Sequence, residues 1–241
     1  GAIGGVGIAY FLITRFKGDL RKVFLISVIP ALLGVLVLFF VKEKKSAAAV
    51  KPRKLILQWR GLDKRLKAFL LSTFIFTLGN SSNQFLLLRA KNLGSSLGGV
   101  ILFYLAYNVV YFLAAYPAAR LSDKIGRKKL LVLGYLFYGL VYLGFAVNPS
   151  LNALWFLFGV YGLYIGFTEG VEKALVADIA PGDLRATAIG LHATLVGIGL
   201  LPASLLAGLL WSVFGQAAPF YFGGVMGILA SAGFWFVLKG L

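Results

Sequence analysis

The sequence contains no cysteine, one histidine, one methionine and eight acidic residues in 241 positions. The absence of cysteine excludes disulfides and thiolate metal sites. A single histidine leaves no material for an imidazole-based metal centre, so neither a metal nor another cofactor is expected. Catalytic constellations are missing as well. There is no nucleophile elbow, no metal-ligand cluster and no phosphate-binding Gly-rich loop, which argues against an enzyme. Charge itself is scarce: Asp, Glu, Lys and Arg together make 13% of the chain, against ~25% for an ordinary soluble domain.

What the chain has instead is apolar length. Hydrophobic residues make 60% of it, and the mean hydropathy is +0.89. Long apolar runs are divided by charged or Gly/Pro turns, the pattern of an all-α, polytopic membrane bundle. A net charge of +16 raises nucleic acid as a partner. That reading fails, because the basic residues stand at the ends of apolar runs rather than along one soluble face. The expected partner is the lipid bilayer.

Eight candidate spans are legible, at about 1–16, 23–41, 68–88, 97–119, 130–147, 151–178, 186–211 and 219–239. Most are near the ~20 residues that a helix needs to cross a ~30 Å hydrocarbon layer. With eight spans both termini lie on one side. That side receives 17 of the 24 Lys and Arg, the other side six (Arg15, Lys17, Arg21, Lys22, Arg89, Lys91), and Lys173 falls inside the sixth span. The positive-inside bias then makes both termini cytoplasmic, in a cell membrane. The start at Gly1, inside an apolar run, sets the expectation that the sequence begins partway through a longer protein.

The run RLSDKIGRKK, Arg120 to Lys129, organises the rest. It is expected to be a short cytoplasmic loop between two spans. Leu121, Ser122, Asp123, Gly126, Arg127, Lys128 and Lys129 resemble the G-x-L-a-D-r-x-G-r-k signature of the major facilitator superfamily (MFS), with Ala119 in place of its first Gly. The resemblance implies the domain plan. Residues 1–41 correspond to the last two helices of an N-terminal half, 42–67 to the basic cytoplasmic connection and 68–241 to a complete C-terminal six-helix half. Four helices would then precede Gly1. It also implies a gate. Asp123 would meet the positive end of a helix in the other half, at Gly1, and Arg127 would pair with Asp178. Asp183–Ala188 resembles the start of the eleventh facilitator helix. Gly5-Val6 stands where proton antiporters of the superfamily carry Gly-Pro, which weakens an antiport assignment.

Other features are read from the residues themselves. Ser46–Val50 suggests a flexible linker, and Leu55–Leu66, with Trp59, suggests an amphipathic helix at the lipid headgroups. Pro30 and Pro202 are expected to bend their spans, and Asp183 to cap the seventh. Small residues at Gly1/Gly5/Ala9 and at Gly223/Gly227/Ser231 suggest close helix packing.

Polar residues inside a membrane are costly, so those present should face a cavity or one another. At 100° per residue, Thr73, Thr77, Asn80 and Gln84 share one face of the third span, opposite Leu71, Ile75, Leu78 and Phe85. Tyr104, Tyr107, Asn108 and Tyr111 form a stripe on the fourth. Tyr161, Thr168, Glu169 and Glu172 cluster on the sixth, beside Gly162, Gly166 and Gly170. By the resemblance these are helices seven, eight and ten, which line the cavity in that fold. The plainer alternative is polar glue between helices. Carboxylates at such depth suit proton carriage, against a structural ion pair of Glu169 with Lys173 one turn on. His192 is a further proton-carrier candidate, against a satisfied interior imidazole. Three functions are therefore weighed. The first is a facilitator-type transporter of an uncharged or cationic small organic solute, with proton-coupled efflux as its sharper form. The second is a truncated, non-transporting membrane subunit, and the third is a membrane enzyme.

Overall fold

The computed structural model describes residues 2–40, 62–147 and 150–237, and these are helical with no strand among them. The chain divides into two compact units, Gly1–Ile56 and Leu57–Leu241. The first unit holds α1 (Ala2–Arg15) and α2 (Leu20–Phe40), joined by a tight turn at Lys17-Gly18. The α2 sequence is apolar on every face, as a lipid-crossing helix must be.

The second unit holds α3 (Lys64–Gly79), α4 (Gln84–Asn92), α5 (Leu97–Ile125), α6 (Arg127–Ala146), α7 (Leu151–Ile179), α8 (Arg185–Phe214) and α9 (Ala218–Val237). Side chains at the helix starts satisfy free backbone N–H groups. Ser96 accepts from Gly99 N–H, Ser150 from Ala153 N–H and Asp63 from Arg65 N–H. Six helices among the described residues, α2 and α5 to α9, are long and apolar enough to span a bilayer. This is an all-α, multi-pass membrane bundle.

Two expectations are corrected. The third span is not continuous: α3 stops at Gly79 and α4 begins at Gln84. The intervening Asn80-Ser81-Ser82-Asn83 is built from residues whose side chains compete for backbone hydrogen bonds and weaken helices. The freed Gly79 carbonyl accepts from the Tyr138 hydroxyl at 2.8 Å, which meets the rule that backbone groups at membrane depth need an internal partner. Nor is Arg120–Lys129 a loop. The α5 helix continues to Ile125 and α6 starts at Arg127, so Gly126 alone makes the corner. Its φ of +92° lies in the region that favours glycine.

Helix α6 packs along α9, and α5 along α7. The α6–α9 seam is backbone-close. A methyl group on Gly139 would lie 2.9 Å from the Gly224 carbonyl oxygen, and one on Gly227 would lie 2.9 Å from Gly139 Cα. Ser231 continues the seam by donating to the Val132 carbonyl at 2.9 Å. Behind it stands an aromatic core, with Phe76 edge-on to Tyr135 at 4.5 Å and to Tyr138 at 4.9 Å. Pro30, Pro117 and Pro202 lie inside α2, α5 and α8, each of which runs through as one helix. The linker at Ser46–Val50, residues 55–61 of the headgroup helix, Gly1 and the Asp183 side chain lie outside the described residues.

Candidate functional site

The polar faces of α3 and α7 meet around a cavity of about 220 Å³. Thr73, Thr77, Asn80 and Asn83 line it from the α3 side, Tyr161, Tyr164, Thr168, Glu169 and Glu172 from α7, and Val196 from α8. The three threonines are nearly buried, Thr73 and Thr168 at 3% and Thr77 at 2% exposure. Thr77 donates to the Thr73 carbonyl, and Thr168 to the Tyr164 carbonyl. The Thr73 hydroxyl is buried behind this lining and makes no aligned hydrogen bond. Asn80 donates to the Tyr164 hydroxyl at 3.4 Å, and Tyr161 donates to Asn83 Oδ1 at 2.6 Å. Gln84 is not part of this wall. The break turns it into α4, where it is exposed.

The two glutamates of α7 differ in setting. Glu169 is half-exposed; it accepts from the Tyr111 hydroxyl at 2.8 Å and from Lys173 Nζ at 3.3 Å. Glu172 is largely enclosed, with 13% of its side chain exposed. It accepts from the Tyr135 hydroxyl at 2.7 Å, and its other oxygen lies 3.2 Å from His192 Nε2. His192 is itself buried and stacks on Phe69 at 6.0 Å. Its Nε2 makes no aligned hydrogen bond.

The α5 stripe lies beside this cavity rather than in it. Tyr104 packs edge-on to Tyr107 at 5.0 Å, Tyr107 approaches Tyr161 at 5.7 Å, and Asn108 donates back to the Tyr104 carbonyl at 2.7 Å. Tyr111 opens onto a second space, a groove of about 330 Å³ between α5 and α7 with Glu169, Lys173, Asp123 and Arg127 in its wall. At the end of that groove Arg127 donates to the Ala174 carbonyl at 2.7 Å and pairs with Asp178. Its second terminal nitrogen stands 3.7 Å from Asp123. Gly126, Lys128 and Asp178 line an adjoining hollow of about 340 Å³. Lys128 also lies over the Trp235 ring at 4.9 Å.

The sequence model of the Major Facilitator Superfamily matches residues 68–240, most of the chain. The chain belongs to that superfamily. Over 236 residues it is 38% identical to an uncharacterised MFS-type transporter of Methanocaldococcus jannaschii, covering 95% of this chain and 59% of that protein. A second M. jannaschii MFS-type transporter is 26% identical over 171 residues, 70% of this chain and 44% of the relative. The quinolone resistance protein NorA of Staphylococcus aureus is 26% identical over 140 residues, 58% of this chain and 36% of NorA. The chain thus spans well under two-thirds of the length of these relatives, whose names are those of transporters and a resistance protein rather than of enzymes.

This facilitator chain also uses residues that the polar-stripe reading passes over. Tyr135, Tyr138 and Tyr142 sit on one face of α6 at i, i+3 and i+7, and all three are fully buried. They back the cavity wall, holding Glu172 and the α3–α4 break from behind. Their spacing is visible in GYLFYGLVYLG as a helical tyrosine stripe. Arg89 is the other omission. It counts as an outer-loop charge by position, yet it is 5% exposed and donates to the Phe145 carbonyl at 3.1 Å and to Gln216 at 3.3 Å. It thereby ties α4 to the end of α6 and to the α8–α9 turn. The ends of three helices (α4, α6 and α8) lie there, and their negative dipole ends suit a cation.

Proposed function

We propose that the chain forms the larger part of a secondary transporter that moves a small organic solute by alternating access. Residues 68–241 act as one six-helix half, 1–41 as two helices of the other and 42–67 as the cytoplasmic connection. The observation that carries this reading is the cavity beside the α3–α4 break. A space walled by hydroxyls, amides and two carboxylates inside an otherwise apolar bundle is costly unless a polar solute uses it. The NorA relative, named for quinolone resistance, supports an organic cargo and outward movement.

Glu172 carries the coupled proton, with His192 and Tyr135 as its partners, because an enclosed acid with an imidazole beside it exchanges a proton without bulk water. Glu169, already matched by Lys173, holds solute rather than proton. Arg127, Asp178 and Asp123 form the cytoplasmic gate, with Gly126 as its corner and Lys128 at its edge, and the groove leads to it from Glu169. Both termini are cytoplasmic, in keeping with the 17-to-six distribution of basic residues.

The test is solute flux in proteoliposomes under an imposed pH gradient, with a quinolone and simple organic cations as cargo. Glu172→Gln is expected to abolish the dependence of flux on pH, and Glu169→Gln to retain it while weakening solute binding. An unchanged pH profile in Glu172→Gln removes that residue from proton coupling. A folded protein that moves no cargo at all favours the non-transporting subunit.

A further inference from the structure

Glu169 stands in the wall between two spaces. It lines the inner cavity with Thr73 and Asn80, and it also lines the groove with Tyr111 and Arg127. Its carboxylate is held from two sides, by the Tyr111 hydroxyl of α5 and by Lys173 one turn further along α7. Lys173 lines the groove and not the inner cavity, and the charged groups of the inner lining, among the described residues, are the two carboxylates Glu169 and Glu172. A confined space with that lining favours a cation. Glu172 is already engaged by Tyr135 and His192. Glu169 is the acid whose partner is exchangeable, because the Lys173–Glu169 pair has 53% and 48% of its side chains exposed. An ion pair so solvated is worth roughly 0.2–1 kcal/mol.

We propose that Glu169 receives the cationic group of a monovalent organic solute, and that Lys173 is a tethered competitor holding that place while the cavity is empty. The proposal rests on the reading of the cavity as the solute site. On arrival of the solute, the lysine ammonium gives up Glu169 and swings on its four-carbon stem into the groove, where Asp123 offers a second carboxylate. The wall keeps one cation on Glu169 in both states. Binding therefore exchanges one solvated ion pair for another, and a neutral solute gains nothing from the exchange. Lys173 thus sets the threshold affinity for cations and leaves neutral solutes untouched.

The test is equilibrium binding to the purified 241-residue chain in detergent. The probes are benzyltrimethylammonium and its uncharged carbon isostere, neopentylbenzene. Lys173→Met is expected to tighten the ammonium about two- to five-fold, and Lys173→Arg to leave it at the wild-type value. Glu169→Gln is expected to weaken the ammonium and to cancel the gain from Lys173→Met. Neopentylbenzene is expected to bind all these proteins alike. Ammonium binding that ignores Lys173→Met but falls with Glu169→Gln overturns the competitor and leaves the solute cavity standing. Equal binding of the ammonium to every variant overturns the cationic class. If neither probe binds the wild type or Lys173→Met, the solute-cavity reading fails and the inference falls with it.

Discussion

Two seams of small residues run through the second unit, and they end differently. Between α6 and α9 the seam stays closed: Gly223 lies against the Tyr142 ring, Gly224 and Gly227 meet the Gly139 backbone, and Ser231 donates to the Val132 carbonyl. Between α5 and α7 it is closed at Gly162, whose added methyl would meet the Tyr107 carbonyl, and at Gly166, against Ala114. One turn further, at Gly170, nothing lies within 4 Å, and the groove to Arg127 begins. The same four-residue spacing of glycines therefore gives a weld in one place and a cleft in the other. What decides is the facing helix. Opposite the first seam stand Gly139 and the tyrosine rings; opposite Gly170 stand Ala115 and Ala119, too small to fill the space.

That contrast can be broken by substitution, with thermal unfolding in detergent as the measurement. Gly227→Val carries the largest effect, because its methyl groups must enter the Gly139 backbone. A loss of about 3 kcal/mol is expected, or failure to fold, from overpacking a seam that cannot widen. Tyr138→Phe comes next. It keeps the ring in the core but leaves the Gly79 carbonyl without its donor, at a cost of about 1–2 kcal/mol. Gly170→Ala is the smallest and has the opposite sign: unchanged stability, or a gain of up to ~1 kcal/mol from helix propensity in open space. A Gly170→Ala protein as damaged as Gly227→Val would show that the α5–α7 cleft is closed in solution.

Most of the bundle is legible in the sequence, because a lipid-crossing helix writes its length directly as an apolar run. Among the described residues, the turns at Lys17-Gly18, Leu93–Ser96, Gly126, Ala180–Leu184 and Gly215–Ala217 fall inside the connections expected between spans. The two places where the reading slips have a common cause. Hydropathy averaged over a window hides four polar residues, Asn80 to Asn83, inside an apolar stretch, so the break at Gly79 disappears. Charge overstates a loop in the same way: Arg120 to Lys129 looks solvated, but charged side chains at a helix end reach water without unwinding the backbone. The polar stripes of α3 and α7 are legible because polar residues are rare there. The tyrosines of α6 are not, since a ring reads as core and its hydroxyl partner lies on another helix. Arg89 is the hardest case. Its partners are a backbone carbonyl and a glutamine more than fifty residues away, and no local pattern announces them.

The absence of native cysteine makes the decisive measurement clean. Single cysteines at Asn80 and Asn83, which line the cavity, and at Leu71 and Ile75, on the opposite face of α3, can be challenged in membranes with a charged, membrane-impermeant thiol reagent. Leu71 and Ile75 are the more exposed on the bare protein surface, at 54% and 47%, yet hydrocarbon should keep their thiols unreactive. Rapid labelling at 80 and 83, slowed by bound solute, with none at 71 and 75, is the predicted result. Equal labelling at all four positions, or labelling confined to 71 and 75, would contradict a water-filled solute cavity enclosed by a lipid-facing bundle.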